Sequence, residues 1–316
     1  MFDIMVSVIV LTYNHEKYIK QAIDSILMQK VNFKYEILVG DDCSSDDTQN
    51  VLKEYQKSNP SLFRLFLRDS NIGATKNAYE LLINARGKYL ATCEGDDYWT
   101  DENKLQIQVD FLEKNKSFIG CCHDFVIVDD NGEPIPRKKL SWVRKKEIFT
   151  LDDYQGIYLP SQPSTFLRRN IFLDNKYDLS IVYKAHPMVG DRTMGMIYLS
   201  QGNFYFINSL MSCYRLVLNK KNITSIAYIE NTNRVLDDYN YTISLDKYAR
   251  DVLKKEGLFE KRKKDLFLSA LFFAIFHPNN INRQLVKRIY IEGGKSLSYI
   301  FCLPFYLIKK VICKFI

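Results

Sequence analysis

The 316-residue chain has no run of about 20 apolar residues, the length a helix needs to cross a bilayer. Its two longest apolar stretches are LFLSALFFAIF (266–276) and LSYIFCLPFYLI (297–308), and Pro304 interrupts the second. No transmembrane segment is therefore expected. The opening MFDIMVSVIVL has no basic segment ahead of its apolar run and carries Asp3 before it. It reads as a first strand and not as a secretion signal. Seven cysteines form no CxxC pair and no metal-ligand spacing, and Cys121 and Cys122 are adjacent. This odd, scattered set argues against a disulfide framework and fits reduced thiols of the cytosol. The four histidines, His15, His123, His186 and His277, share no ligand spacing and are expected to be structural or solvent-facing. Internal repeats and low-complexity stretches are absent as well.

What is present describes a folded, core-forming chain. Hydrophobic residues make up 47% and charged residues 26%, with 21 Tyr and 20 Phe, which excludes bulk disorder. The net charge of +7 is unevenly placed. Residues 250–316 hold 14 Lys and Arg against 5 Asp and Glu, a net +9, so the first 249 residues sum to −2. Basicity confined to a tail is not the footprint of a nucleic-acid binder, which surrounds its site with cations.

Along the first 115 residues short apolar runs alternate with helical stripes. VSVIVL (6–11) reads as a buried strand, and Ile19, Ala22, Ile23, Ile26 and Leu27 form one face of a helix. Strand 35–40, helix 47–57, strand 62–67, a loop and helix over 71–87, strand 88–93 and helix 103–115 follow. This alternation predicts βαβ units, hence an α/β fold with a mainly parallel sheet covered by helices. Farther on the periodicity weakens. A strand and Asn131-Gly132 turn, a basic exposed loop (137–147), helix Asp191–Gln201 and strand Asn203–Ile207 are expected, then helices over 228–256, 258–276 and 281–316. The domain reading is 1–226 and a helical region 227–316.

Two strands end in carboxylates. YEILVGDDCSSDDT (35–48) brings Asp41 and Asp42, and KYLATCEGDDYW (88–99) brings Glu94, Asp96 and Asp97, with Gly95 between the first two. Two such ends imply a site at the carboxyl edge of the sheet. Carboxylates at i and i+2 on an extended segment point to one side. On that basis Glu94 and Asp96 are expected to hold Mg2+ or Mn2+ shared with a diphosphate.

Strand, TYN turn, strand-DD, N-x-G loop and strand-ExDD occur in order, and with them residues 5–216 resemble glycosyltransferase family 2. These are inverting nucleotide-sugar enzymes of GT-A (Rossmann-like) fold. The EGDDYW form is similar to that of bacterial enzymes of surface polysaccharide assembly. The resemblance implies a mixed, mainly parallel sheet flanked by helices, here with a helical C-terminal extension. It implies hexosyl transfer from a nucleotide-sugar donor, UDP-linked, to a glycan or lipid-linked acceptor. Thr12, Tyr13 and Asn14 would line the nucleotide pocket, and Asp42, with Asp41 beside it, would accept hydrogen bonds from uracil or ribose. Cys43 stands where the family has a small residue. Asn71 and Gly73 would form the donor floor, with Lys76 or Asn77 reaching base or phosphate. Glu94 and Asp96 match the metal-binding acidic positions, with Gly95 and Asp97 in the same donor loop. Asp191 in VGDRT matches the catalytic acid–base position, and Arg215 in CYR could face the diphosphate. No QxxRW-like motif of a processive synthase occurs.

These residue types suit the chemistry. A leaving nucleoside diphosphate needs cationic neutralisation, and an attacking hydroxyl needs a carboxylate to take its proton. Local alternatives stand beside these roles: Asp191 as a plain helix cap, and Ser161, Ser164 and Thr165 of PSQPSTF as a turn instead of a sugar contact. Ser44 and Ser45 are expected to cap the helix after Asp46. The basic tail, 295–316, fits an interfacial helix on the inner face of the cytoplasmic membrane, peripheral and non-spanning. Competing functions are a non-catalytic nucleotide-sugar binding or scaffold protein at the membrane, and a nucleotidyltransferase. The latter wants a glycine-rich basic loop after the first strand, which TYNHEKY is not.

Overall fold

The computed structural model describes residues 3–136, 138–174, 176–216, 234–276 and 280–292. The chain divides into two compact units, Met1–Thr224 and Ser225–Ile316. The boundary expected at 226 and the tail 295–316 lie outside the described residues.

The first unit begins with β1 (Val6–Thr12), α1 (Ile19–Leu27), β2 (Tyr35–Asp41), α2 (Thr48–Ser58), β3 (Phe63–Leu67), α3 (Ala74–Asn84), β4 (Tyr89–Glu94), β5 (Tyr98–Trp99) and α4 (Lys104–Lys114). Then come β6 (Phe118–Val128), β7 (Ile148–Phe149), α5 (Leu151–Tyr154), β8 (Leu167–Arg169), α6 (Ile181–Lys184), α7 (Asp191–Leu199) and β9 (Asn203–Arg215). The nine strands form one sheet in the order β3-β2-β1-β4-β8-β6-β9-β5, with β7 alongside β9. The four strands from β3 to β4 are parallel. β8 enters antiparallel between β4 and β6, so the sheet is mixed as expected.

Burial explains the parallel half. Val6, Val8, Val10, Ile37 and Val39 are fully buried, as strands covered by helices on both faces require. The stripe Ile19, Ala22, Ile23 and Ile26 of α1 is also 0% exposed, sealing one face. Asn203–Ile207 proves to be only the start of β9, which runs on to Arg215 parallel to β6. Polar, exposed Asn208 and Ser209 mask the continuation in sequence, and register shifts around Asp124 absorb the irregularity.

The second unit contains α8 (Arg234–Asp251), α9 (Glu260–Phe276) and α10 (Asn280–Glu292). Tyr239, Leu266, Phe267, Ala270, Leu285 and Ile289 form its core, and Lys263 meets Asp246 at 2.9 Å. Among the described residues no helix is long and apolar enough to cross a membrane.

Candidate active site

Strand register assembles the site. Thr12 of β1 pairs with Asp41 of β2, and Leu11 with Glu94 of β4, so three carboxyl-terminal strand ends lie side by side. Neighbouring strands are about 4.8 Å apart. The polar ends thus meet where the chain leaves the sheet.

The loops after β1 and β2 are tied to each other. Asn14, at φ +56°, accepts from the Ser45 amide at 2.9 Å, and its own amide donates to Ser44 Oγ at 2.8 Å. Asp41 is fully buried and accepts from the Ser44 amide and hydroxyl and from Gln49 Nε2. It is a brace for this loop, not a surface a nucleotide can touch. Asp42 accepts from the Ile72 amide at 2.7 Å and the Gly73 amide at 3.0 Å, and Asn71 Nδ2 reaches its carbonyl. Burial is the main cause raising the Asp42 pKa. Its carboxylate shapes the N-x-G loop, with lone pairs left for a ligand. The expected serine caps are not formed: Asp46 accepts from the Thr48 amide and hydroxyl at the start of α2.

Asn77 differs from expectation. Its amide donates to the Gly40 carbonyl at 2.8 Å and accepts from Arg68 at 3.2 Å, with 1% exposure. It packs where a side chain on Gly40 would sit, so it supports β2 instead of reaching a base or phosphate. Lys76 is exposed on α3, and Tyr13 is half-buried in the turn after β1.

The acidic motif is a turn and not an extended segment, as the Asp97 amide bonds the Glu94 carbonyl at 3.0 Å. The i, i+2 strand argument for Glu94 and Asp96 therefore fails, and the turn itself sets their placement. A Cβ on Gly95 would lie 2.7 Å from His15 Nδ1 and 2.9 Å from Thr12 Oγ1, which explains the glycine. Both those atoms are buried without a partner among the described residues, and His15 Nε2 stands 4.0 Å from Asp96. Burial first, then the charges of Asp97, Asp191 and Asp96, hold the Glu94 pKa well above the usual carboxylate range. That concentration of negative potential suits a divalent cation bound by one or two carboxylates and completed by phosphate oxygens. Among the described residues no group of three or more His, Cys, Asp or Glu has metal-binding geometry by itself.

Asp97 is internal, 1% exposed, accepting from Ser164 Oγ at 2.6 Å and the Arg215 amide at 2.9 Å. Arg215 is not directed at a diphosphate. Its guanidinium donates to the carbonyls of Asp96, Asp129 and Asp130 and to Gln21 Oε1, with the rings of Tyr18 and Tyr98 at 4.7 and 5.5 Å. It locks the acidic turn onto β9. The two-residue β5, paired with Ser212 and Cys213, brings these parts together.

The PSQPSTF segment likewise serves the fold. Ser161 donates to the His123 carbonyl, Ser164 bridges Asp97 and the Glu94 amide, and Thr165 bonds Gln162. His123 is fully buried and His186 nearly so, as a structural reading of both requires. His186 Nδ1 accepts from the amides of Met188 and Val189 at 3.0 Å, shaping the turn before Asp191. His277 lies outside the described residues.

Asp191 is the first residue of α7, after Gly190, and its carboxyl caps nothing. The carboxyl makes no hydrogen bond among the described residues. The residue as a whole is exposed, yet desolvation of its carboxyl pushes the pKa up to about 6 against the opposing charge of Arg168. Glu94, Asp191, Arg168 and Thr92 line one cavity of about 110 Å³. Arg168 and Thr92 escaped the sequence reading, because a polar residue in a short strand carries no local signal of what it faces.

Residues 7–174 match the family described as glycosyl transferase family 2. The chain belongs to glycosyl transferase family 2. This family 2 chain is 37% identical over 186 residues to an uncharacterized protein of Mycobacterium tuberculosis, covering 58% of this chain and 48% of that one. It is 36% identical over 115 residues to WfgD of Escherichia coli, a UDP-Glc:alpha-D-GlcNAc-diphosphoundecaprenol beta-1,3-glucosyltransferase, covering 36% and 44%. The chain spans about half the length of the curated relatives it matches. The fold is that of S. aureus TarS 1-349 in complex with UDP-GlcNAc, at TM-score 0.61, 17% identity, 92% of this chain and 80% of that one. The architecture is thus GT-A-like, as expected.

Proposed function

We propose that this family 2 glycosyltransferase moves a sugar, by inversion and with a divalent metal, from a UDP-linked donor to a hydroxyl of a glycan or lipid-linked oligosaccharide in cell-surface polysaccharide assembly. The observation that carries the reading is the unbonded Asp191 carboxyl facing the same cavity as Glu94. Asp191 takes the proton of the acceptor hydroxyl as it attacks. Direct attack needs one such base and no enzyme nucleophile. Glu94 and Asp96 would hold Mg2+ or Mn2+, which when bound neutralises charge on the departing diphosphate. Thr12 Oγ1, which has no partner among the described residues, and the Asp42–Gly73 loop offer polar contacts to the nucleoside. WfgD is a glucosyltransferase of a diphosphoundecaprenol-linked acceptor and TarS is seen in complex with UDP-GlcNAc, which supports a lipid-linked acceptor and a UDP donor here.

The test is hydrolysis and transfer from UDP-glucose and UDP-N-acetylglucosamine by the full chain, with the product anomer read by NMR. Inverted product that requires Mn2+ or Mg2+ is expected, and Asp96→Ala is expected to abolish turnover. Retention of configuration, or full activity of Asp96→Ala in excess EDTA, overturns the reading.

Membrane contact is proposed from the tail sequence alone. Lys295, Lys309, Lys310 and Lys314 would each contribute about 1 kcal/mol near anionic lipid. Truncation after Gly294 is expected to move the protein from the membrane fraction to the supernatant and to spare donor hydrolysis. An insoluble, inactive truncation argues that the tail belongs to the core.

A further inference from the structure

Arg168 lies on the wall between the cavity of about 110 Å³ and a smaller one of about 20 Å³, and Asp191 lines both. Its Nη2 donates to Thr92 Oγ1 at 2.8 Å, and the rings of Phe166 and Tyr198 lie 5.8 and 5.1 Å from Cζ. So held, the guanidinium keeps its Nε–H buried with no acceptor among the described residues. A buried donor on a charged group is costly to leave unmet. The larger cavity exceeds the roughly 10–15 Å³ that one water needs. A group larger than water therefore fits beside the Arg168 guanidinium, which forms part of the cavity wall.

We infer that Arg168 is a specificity-determining residue whose guanidinium donates a hydrogen bond to a hydroxyl of the transferred sugar. The inference rests on the donor reading proposed above. The cavity is bounded by Glu94 and Asp191 and by apolar Ile9, Leu11 and Met194. Thr12, Asp42 and Asn71, the residues assigned to the nucleoside, do not line it. The group entering it is thus the sugar and not the base or ribose. Two carboxylates and one guanidinium face it, which decides the chemistry. A hydroxyl accepts from Arg168 while donating to a carboxylate, so both partners are satisfied. A sugar carboxylate would satisfy the arginine alone and would repel both acids.

Calorimetry on the full chain with Mn2+ tests this with UDP, UDP-glucose, UDP-N-acetylglucosamine and UDP-glucuronate. Arg168→Met is expected to weaken binding of a neutral-sugar donor about tenfold or more, the scale of a hydrogen bond to a charged group, and to leave UDP unchanged. Unchanged UDP affinity also shows that the variant is folded. Thr92→Val, which only frees the arginine from its support, is expected to give a smaller loss with the same selectivity. Equal losses for UDP and sugar nucleotides, no loss for any of them, or the largest loss for UDP-glucuronate overturns the inference. If the wild-type chain binds none of the four, the donor reading itself has failed, and this inference falls with it.

Discussion

Replacing Asp191 by Asn is expected to lower turnover about 100-fold or more while nucleotide-sugar binding persists. The substitution keeps shape and polarity but removes the basic oxygen that accepts the acceptor's proton. Because desolvation pushes the carboxyl pKa up to about 6, wild-type activity is expected to follow its ionised fraction. Turnover is expected to fall about tenfold per pH unit below 6 and to level off above it. In the Asn variant the residual rate loses that acid limb. A variant with near-normal turnover, or with the same acid limb, shows that Asp191 is not the base. Turnover and donor affinity must be measured separately, since a helix-start residue could matter for folding alone. Preserved calorimetric binding is what separates the two.

Replacing Lys104 by Met is expected to raise stability at neutral pH. Lys104 is fully buried, donates to Gln108 Oε1 at 2.8 Å and has its Nζ 3.9 Å from the Trp99 ring centroid. Burial lowers its pKa from 10.5 to about 7. Folding therefore favours the neutral amine. Between about pH 7 and 10.5 the unfolded chain holds a proton that the folded chain lacks, so stability contributed here rises with pH across that window and is lost on the way down. The penalty, about 5 kcal/mol in full below pH 7, is still about 4 kcal/mol at pH 7. Met has a similar length and no charge to desolvate, but it leaves Gln108 Oε1 without its donor, a cost of about 1–3 kcal/mol. A net gain of about 1–3 kcal/mol at pH 7 is expected, equivalent to several degrees in Tm. Denaturation across pH 6–10 checks it. A variant that is destabilised at pH 7, or that keeps the wild-type rise from pH 7 to 10, refutes the account.

The elements from β1 to α4 were legible in the residues to within a few positions, except the two-residue β5, whose pairing with β9 leaves no local signal. Apolar runs such as VSVIVL and stripes such as Ile19–Ile23–Ile26 reflect burial within one element, and that signal is local. So is the ending of β2 and β4 in carboxylates, which located the site at one sheet edge. What each acid does depends on contacts across the sequence, and there the reading was incomplete. Asp41, Asn77, Asp97 and Arg215 belong to the framework because their partners are supplied from elsewhere. Arg215 and Asp97 are 118 positions apart, and Ser164 and Asp97 are 67 apart. Arg168 and Thr92 were missed for the same reason. They reach the cavity because antiparallel β8 is placed beside β4, a pairing that no periodicity announces. The sequence by itself determined the α/β class, the family and the sheet edge at which the acidic residues gather, since these follow from patterns that each segment carries alone. Only the tertiary structure decided which carboxylates keep free oxygens and which are spent on hydrogen bonds, because a buried polar group is defined by the neighbours that satisfy it.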